Sequence, residues 1–214
     1  MPFSGLYSER LLPHLVHWVL RGGTFGRLRR ECLQGLAGTV LEVGFGSGLN
    51  LPWYPREVEK LWFVEPSGEA RRLAREAIAA APFPVEAVGD TAESIPLPDA
   101  AVDAAVSTWT LCTIPDVARA LGEIRRVLRP GAPLRFIEHG LSPDAGVARW
   151  QHRLTPLQKR LAGGCHLNRA IDSLLEEAGF HLERIDRFYV KGPKIGTWLF
   201  AGEARALPEK DATG

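Results

Sequence analysis

The sequence predicts an α/β fold: one doubly wound, mostly parallel sheet of seven strands that closes with a C-terminal antiparallel hairpin. Three observations predict it. Five apolar, strand-like runs follow one another as βα-type units up to residue 138. The first run empties into glycines at 44, 46 and 48, a turn that open parallel sheets place at their ligand edge. Two final runs are joined only by residues 191–194, which contain Gly192-Pro193 and are too short for a crossover helix, so the last strands must pair antiparallel.

The elements follow in order. Helices are expected within residues 1–37, covering the sheet or the ligand mouth. Residues 39–43 form the first strand, and residues 48–55 hold at most a short helix limited by proline. Residues 61–65 repeat the strand form and end on an acid, Glu65. Ser67 is the N-cap of a helix through Ala80, with Leu73, Ala77 and Ile78 on its inner face. Strands at 85–88 and 102–108 flank a loop over residues 89–98. Asp116 caps the clearest amphipathic helix, in which Val117, Ala120, Leu121, Ile124, Val127 and Leu128 recur at helical spacing. Arg129-Pro130-Gly131 turns into a strand at 134–138. Helices at 147–161 and 168–178, the second stopped by Gly179, precede strands at 182–190 and 195–201. Residues 1–37 and 38–202 read as one domain, and residues 203–214 as a flexible tail.

Composition sets the outer limits. With 214 residues, 45% apolar and 24% charged, the chain is long enough to bury one substantial core. A formal charge of +1 offers no global attraction to nucleic acid, and the clusters Arg27, Arg29, Arg30 and Arg71, Arg72, Arg75 read as solvated helix faces. Three cysteines, at 32, 112 and 165, lack the density of a disulfide framework and indicate a reducing compartment. The apolar stretch 11–20 is too short to span a bilayer and is broken by Pro13, His14 and His17. These features predict a soluble, cytoplasmic protein with no integral membrane association and no nucleic-acid partner. Oligomeric state is not legible.

The chemistry centres on Leu41-Glu42-Val43-Gly44-Phe45-Gly46-Ser47-Gly48. Alternating glycines let backbone turn sharply and approach a ligand where a side chain would collide. A dinucleotide fingerprint requires glycine at the position of Leu49, and a phosphate loop requires Gly-Lys followed by Ser or Thr; both are absent. A plain strand-to-helix turn could carry the same glycines. Glu65, at the end of the next strand, adds a carboxylate able to accept hydrogen bonds from both hydroxyls of a ribose, although a surface acid at a strand end would look the same.

Together the glycine turn, Glu65, the loop 89–98 and the strand into Trp109 resemble a class I S-adenosylmethionine-dependent methyltransferase of the type 11 group, with a Rossmann-like core, over nearly the whole chain. The resemblance implies S-adenosylmethionine as cofactor and S-adenosylhomocysteine as product. It implies that Gly44, Phe45, Gly46 and Gly48 surround the amino-acid part, that Glu65 holds the ribose, and that Pro66 borders the adenine. Ala92 and Glu93 would lie at the adenine edge. The family's acid falls on Thr91, one position after Asp90, which leaves open which side chain reads the adenine amine. Thr108 and Trp109 would face the methionine portion and the acceptor, and Asn50 completes the set of cofactor contacts. Phe45 stands where relatives often carry Cys.

A narrower likeness lies in residues 107–114, in Phe136-Ile137-Glu138-His139, and in Gly164-Cys165-His166-Leu167-Asn168-Arg169. These segments resemble the methyltransferase-like branch that includes animal thiol S-methyltransferases, whose hydrophobic membrane anchor has no counterpart here. The resemblance implies a small-molecule acceptor, possibly a thiol. A quinone, amine or lipid-head-group methyltransferase is the alternative, as is a non-catalytic protein that only binds S-adenosylmethionine or S-adenosylhomocysteine.

Methyl transfer requires no metal and no catalytic triad, because positioning in a dry pocket supplies much of the effect. His139, at the carboxyl end of the fifth strand, is the candidate base or orienting donor; a structural histidine fits the position equally. Cys165 and His166 are adjacent but lack spaced partners, so they read as pocket wall or helix entry rather than a metal site. His14 and His17 read as exposed or capping residues, Trp109 as core or acceptor wall, Asp103 as a shaper of strand entry, and Tyr7 and Trp18 as parts of a lid.

Overall fold

A computed structural model describes residues 7–206. Seven strands run β1 (Gly38–Val43), β2 (Val58–Val64), β3 (Val85–Gly89), β4 (Ala104–Thr108), β5 (Pro133–His139), β6 (Phe180–Tyr189) and β7 (Trp198–Ala206). Their spatial order is β3-β2-β1-β4-β5-β7-β6. The first five pair in parallel, and β7 pairs antiparallel with both β5 and β6. The order reverses between β1 and β4, where diverging connections leave a crevice at the carboxyl ends of the strands.

Six helices accompany the sheet: α1 (Leu12–Leu20), entered through a wide turn at Tyr7–Leu11, α2 (Gly23–Leu33), α3 (Gly68–Ala79), α4 (Val117–Val127), α5 (Ala145–Leu161) and α6 (Ile171–Glu177). They make layers because strand side chains alternate between faces. Leu41, Val43, Ala105, Leu134 and Phe136 join the apolar stripes of α4 and α6 on one face. On the other face, Val40, Leu61, Phe63 and Val106 meet Leu33 of α2 and Ala74 of α3. Both predicted caps form: Ser67 accepts from Ala70 N at 3.1 Å, and Asp116 accepts from Arg119 N at 3.1 Å. Asp103 shapes strand entry as expected, accepting from Thr39 N at 2.8 Å and pairing with Arg129.

Several boundaries differ from the sequence reading. The last strand extends to Ala206, so the tail predicted from 203 begins too early; register with β5, from Pro133↔Arg205 to His139↔Leu199, carries residues 203–206 into the sheet. Residues 207–214 lie outside the described residues. Helix α6 starts at Ile171 rather than at 168, because Asn168 bonds Thr155 and His152 instead of capping. Residues 48–55 do agree with the reading, holding only one short 3₁₀ turn, Leu51–Trp53, with proline at its start.

Candidate functional site

One cavity of about 960 Å³ opens at the reversal point between β1 and β4. Its walls come from the glycine turn, the start of α3, the loop after β3, the loop after β4, residues 162–164, and one side of α1.

The glycine turn follows β1 with positive φ at Gly44 (+72°), Gly46 (+57°) and Gly48 (+75°), angles that L side chains seldom adopt. At Gly44 the reason is also spatial: a Cβ would lie 2.0 Å from Thr110 Oγ1. Gly46 instead leaves open space toward the cavity. The turn is held to β2 because Gly44 N donates to Val64 O at 3.0 Å. Phe45 turns its ring away from solvent and stacks on Phe63 at 4.1 Å.

Glu65 lies one residue past β2. Its Oε2 accepts from Gly46 N at 2.7 Å and its Oε1 from Ser67 N at 2.8 Å, so this single carboxylate joins the glycine turn to the N-terminus of α3. Burial raises its pKa, opposed by those two backbone donors. Pro66, Thr91, Ala92 and Glu93 line the same cavity, with Asp90. Thr91 Oγ1 donates to Glu93, while Asp90 is drawn outward to Arg71 at 2.5 Å.

The opposite strand supplies Thr108, Trp109 and Thr110. Trp109 is one of two non-glycine residues with positive φ (+54°) among the described residues, and its N–H donates to Ile137 O at 2.7 Å. Asn50 Nδ2 bridges Glu42 Oε1 at 2.8 Å and Thr108 Oγ1 at 3.1 Å, while Tyr54 donates to Glu42 Oε2 at 2.7 Å. Burial lifts Glu42 to about 7 in spite of these donors.

Every residue predicted to contact the cofactor except Gly48 lines the cavity; Gly48 faces inward, its would-be Cβ 3.2 Å from Leu51. His139 stands apart. It does not line the cavity, and its Nε2 is 2.8 Å from Cys165 Sγ. His166 hydrogen-bonds Cys112 O through its backbone N–H at 2.8 Å, so the neighbouring pair Cys165 and His166 face different partners.

Arg29, Glu42 and Thr110 are cavity residues that the sequence reading missed. Arg29 was grouped with solvated neighbours, yet it is 3% exposed, donates to Leu20 O at 2.7 Å, and lies 4.8 Å over the Trp109 ring. Burial lowers its pKa to about 10. A signal for Glu42 was present: an acid inside an apolar strand, one residue before the glycine turn. Arg29 had none, since only its angle around α2 separates it from Arg27 and Arg30.

From α1, Leu12, Pro13, Val16 and Leu20 line the cavity. His17 Nδ1 meets Ser47 Oγ at 2.7 Å and His14 Nε2 meets Glu69 at 2.8 Å, so the two histidines tie α1 to the glycine turn and to α3 rather than forming a pair. Trp18, expected in a lid, points outward at 63% exposure, and neither it nor Tyr7 lines the cavity.

No helix among the described residues is long and apolar enough to cross a membrane. The chain is similar to thiol S-methyltransferase TMT1B of Rattus norvegicus, 32% identical over 148 residues (66% of this chain, 59% of that protein). It is similar also to thiol S-methyltransferase TMT1B of Homo sapiens, 33% identical over 169 residues (72% of this chain, 66% of that protein). It therefore spans 59–66% of the length of these relatives. A solved methyltransferase from Bacillus halodurans shares the fold, with a TM-score of 0.68 at 17% identity, covering 87% of this chain and 100% of that one. The Methyltransf_11 family, described as a methyltransferase domain, matches residues 41–136, from within β1 to within β5. Residues 41–136, which supply most of the cavity wall, thus form a Methyltransf_11 methyltransferase domain.

Proposed function

We propose that the chain is an S-adenosylmethionine-dependent methyltransferase acting on a small acceptor, with a thiol as the favoured class. The observation that carries this reading is Glu65, fixed between Gly46 N and Ser67 N in the cavity wall. Each carboxylate oxygen retains a second lone pair, so the pair can receive two ribose hydroxyls without giving up the backbone donors.

The cavity residues fit the rest of the cofactor. Among the polar atoms buried without a partner, Arg29 Nε and Asn50 Oδ1 belong to cavity residues. A guanidinium suits a carboxylate and an amide oxygen suits an ammonium, so these two match the opposite charges of an amino-acid group. Asn50 is oriented for this by Glu42 and Thr108, which hold its Nδ2. Pro66 and Ala92 offer apolar contact to a base, with Thr91 and Glu93 as polar groups at its edge. Two adjacent diphosphate charges find no lysine here and no glycine at 49, which disfavours a dinucleotide.

When bound, S-adenosylmethionine supplies a methyl group activated on a sulfonium sulfur. Trp109, Ile114, Val16 and Leu20 surround the remaining space with apolar surface, which excludes water and aligns an acceptor. Trp109 is itself held by Arg29 over one face and by the edge contact with Phe25 at 5.3 Å. His139 acts as a positioning residue, because it supports Cys165 next to cavity residue Gly164 rather than reaching the cavity itself. The thiol assignment rests on the relatives' names together with this apolar acceptor wall.

Calorimetric titration with S-adenosylhomocysteine and, in parallel, NADH tests the cofactor. Binding of S-adenosylhomocysteine alone is expected; binding of NADH instead would overturn the reading. Methyl-transfer assays on small thiols, amines and quinols then test the acceptor class. Turnover on thiols is expected, and turnover confined to amines or quinols would replace the thiol.

A further inference from the structure

Cys112, His139 and Cys165 come from three separate places: the loop after β4, the end of β5, and the loop between α5 and α6. One ligand-capable atom from each lies within 4.8 Å of the other two. Both cysteines are buried, at 2% and 8% exposure, and neither forms a disulfide. None of these side chains lines the cavity, so the Methyltransf_11 reading gives none of them a contact with cofactor or acceptor.

The imidazole adds a second observation. Nε2 is 2.8 Å from Cys165 Sγ, whereas Nδ1 is buried with no partner. Nε2 is thus the nitrogen that faces the sulfurs, and its binding to a metal would place the ring proton on Nδ1. Two sulfurs and one imidazole form a soft donor set with strong preference for zinc over magnesium or calcium. Tetrahedral bonds of roughly 2.3 Å to sulfur and 2.0 Å to nitrogen separate neighbouring ligand atoms by about 3.5–3.8 Å, so the cluster needs displacements of no more than about 1 Å.

Charge selects the same ion. Glu138, which accepts from Thr110 N and Leu111 N, and Arg169, which donates to Ile114 O at 2.6 Å, flank the cluster with one negative and one positive charge. A divalent ion with two thiolates is neutral and adds no net charge to a buried site, whereas a monovalent ion would leave a net charge of minus one. We propose that Cys112, His139 and Cys165 bind one zinc ion through two thiolates and one imidazole nitrogen, with a fourth position left to a non-protein ligand. Both thiol protons are released as the metal–sulfur bonds form. The bound ion would tie the end of β5 to two loops that place cavity residues, Thr113 and Gly164, beside the cysteines.

The test uses the reduced, chelator-stripped full chain titrated with Co²⁺ and then Zn²⁺, followed by absorbance. One Co²⁺ per chain is expected, with a sulfur-to-cobalt charge-transfer band in the near ultraviolet and visible bands of tetrahedral intensity, all removed by one equivalent of Zn²⁺. Cys165→Ala and Cys112→Ala should each diminish the charge-transfer band, while Cys32→Ala, in a separate part of the core, should leave it intact. Absence of the band in wild-type chain with native circular dichroism would overturn the site, with no variant needed. So would its persistence in the Cys112→Ala, Cys165→Ala double variant, or formation of a Cys112–Cys165 disulfide in place of metal uptake. S-adenosylhomocysteine binding, measured separately on the stripped chain, tests the cofactor reading, so the two can fail independently.

Discussion

Glu65 receives backbone N–H groups from both the glycine turn and the start of α3, and this double duty makes it the most informative single residue. Glu65→Ala should lose two charge-assisted hydrogen bonds to ribose, each worth about 1.5–3 kcal/mol. Affinity for S-adenosylhomocysteine by calorimetry should therefore fall on the order of a hundred-fold or more; unchanged affinity would move the ribose elsewhere. Glu42 invites a different test, because its carboxyl is raised to about 7 by burial while an unfolded chain keeps it near an ordinary value. Between those values the folded chain holds the proton that the unfolded chain has released, so stability should decline as pH rises from about 4.5 to 7, by up to about 3 kcal/mol for this group. Glu42→Gln imitates the neutral acid: its oxygen can face Asn50 Nδ2 and its amide can donate to Tyr54, whose hydroxyl then accepts. Urea denaturation at pH 5 and pH 7.5 should show a smaller difference in Glu42→Gln than in the wild type. An equal difference would mean that other buried carboxyls, such as Glu138, dominate the slope.

At the scale of elements, caps and faces were legible because their rules are local. Asp116 followed by an apolar stripe defines α4 from the sequence alone, and the structure buries Val117, Ala120, Leu121, Ile124 and Val127 as that spacing demands. Asp116→Ala should cost about 1 kcal/mol of stability with no change in ligand affinity, since its hydrogen bond runs to Arg119 N at the start of the helix. Denaturation midpoint and calorimetry on the same preparation check both halves. The end of β7 was not legible: Gly202 and Glu203 look like the onset of a tail, and only long-range pairing with Phe136 and Arg135 makes them strand. The same limit concealed Arg29, whose burial depends on which side of α2 meets the sheet, and the partners of His14 and His17, which fasten α1 to α3 and to the glycine turn.

For the whole molecule, the sheet order decided what sequence could not. Alternation of strands and helices indicated the fold class, while the meeting of Cys112, His139 and Cys165 required β4 and β5 to be neighbours. The glycine turn and Glu65 could be read together because β1 and β2 are adjacent both in sequence and in space. The cavity itself is assembled from segments near residues 12–20, 42–50, 64–70, 90–93, 108–115 and 162–164, none of which holds it alone. A ligand can thus recognise only the finished sheet, which makes recognition a thermodynamic reporter of folding. S-adenosylhomocysteine at a hundred times its dissociation constant should add about 2.7 kcal/mol to unfolding free energy and raise the melting temperature accordingly. The Glu65→Ala chain should keep no more than about 0.4 kcal/mol of that stabilisation at the same ligand concentration, turning a remote property, the heat resistance of the entire chain, into an assay of one carboxylate.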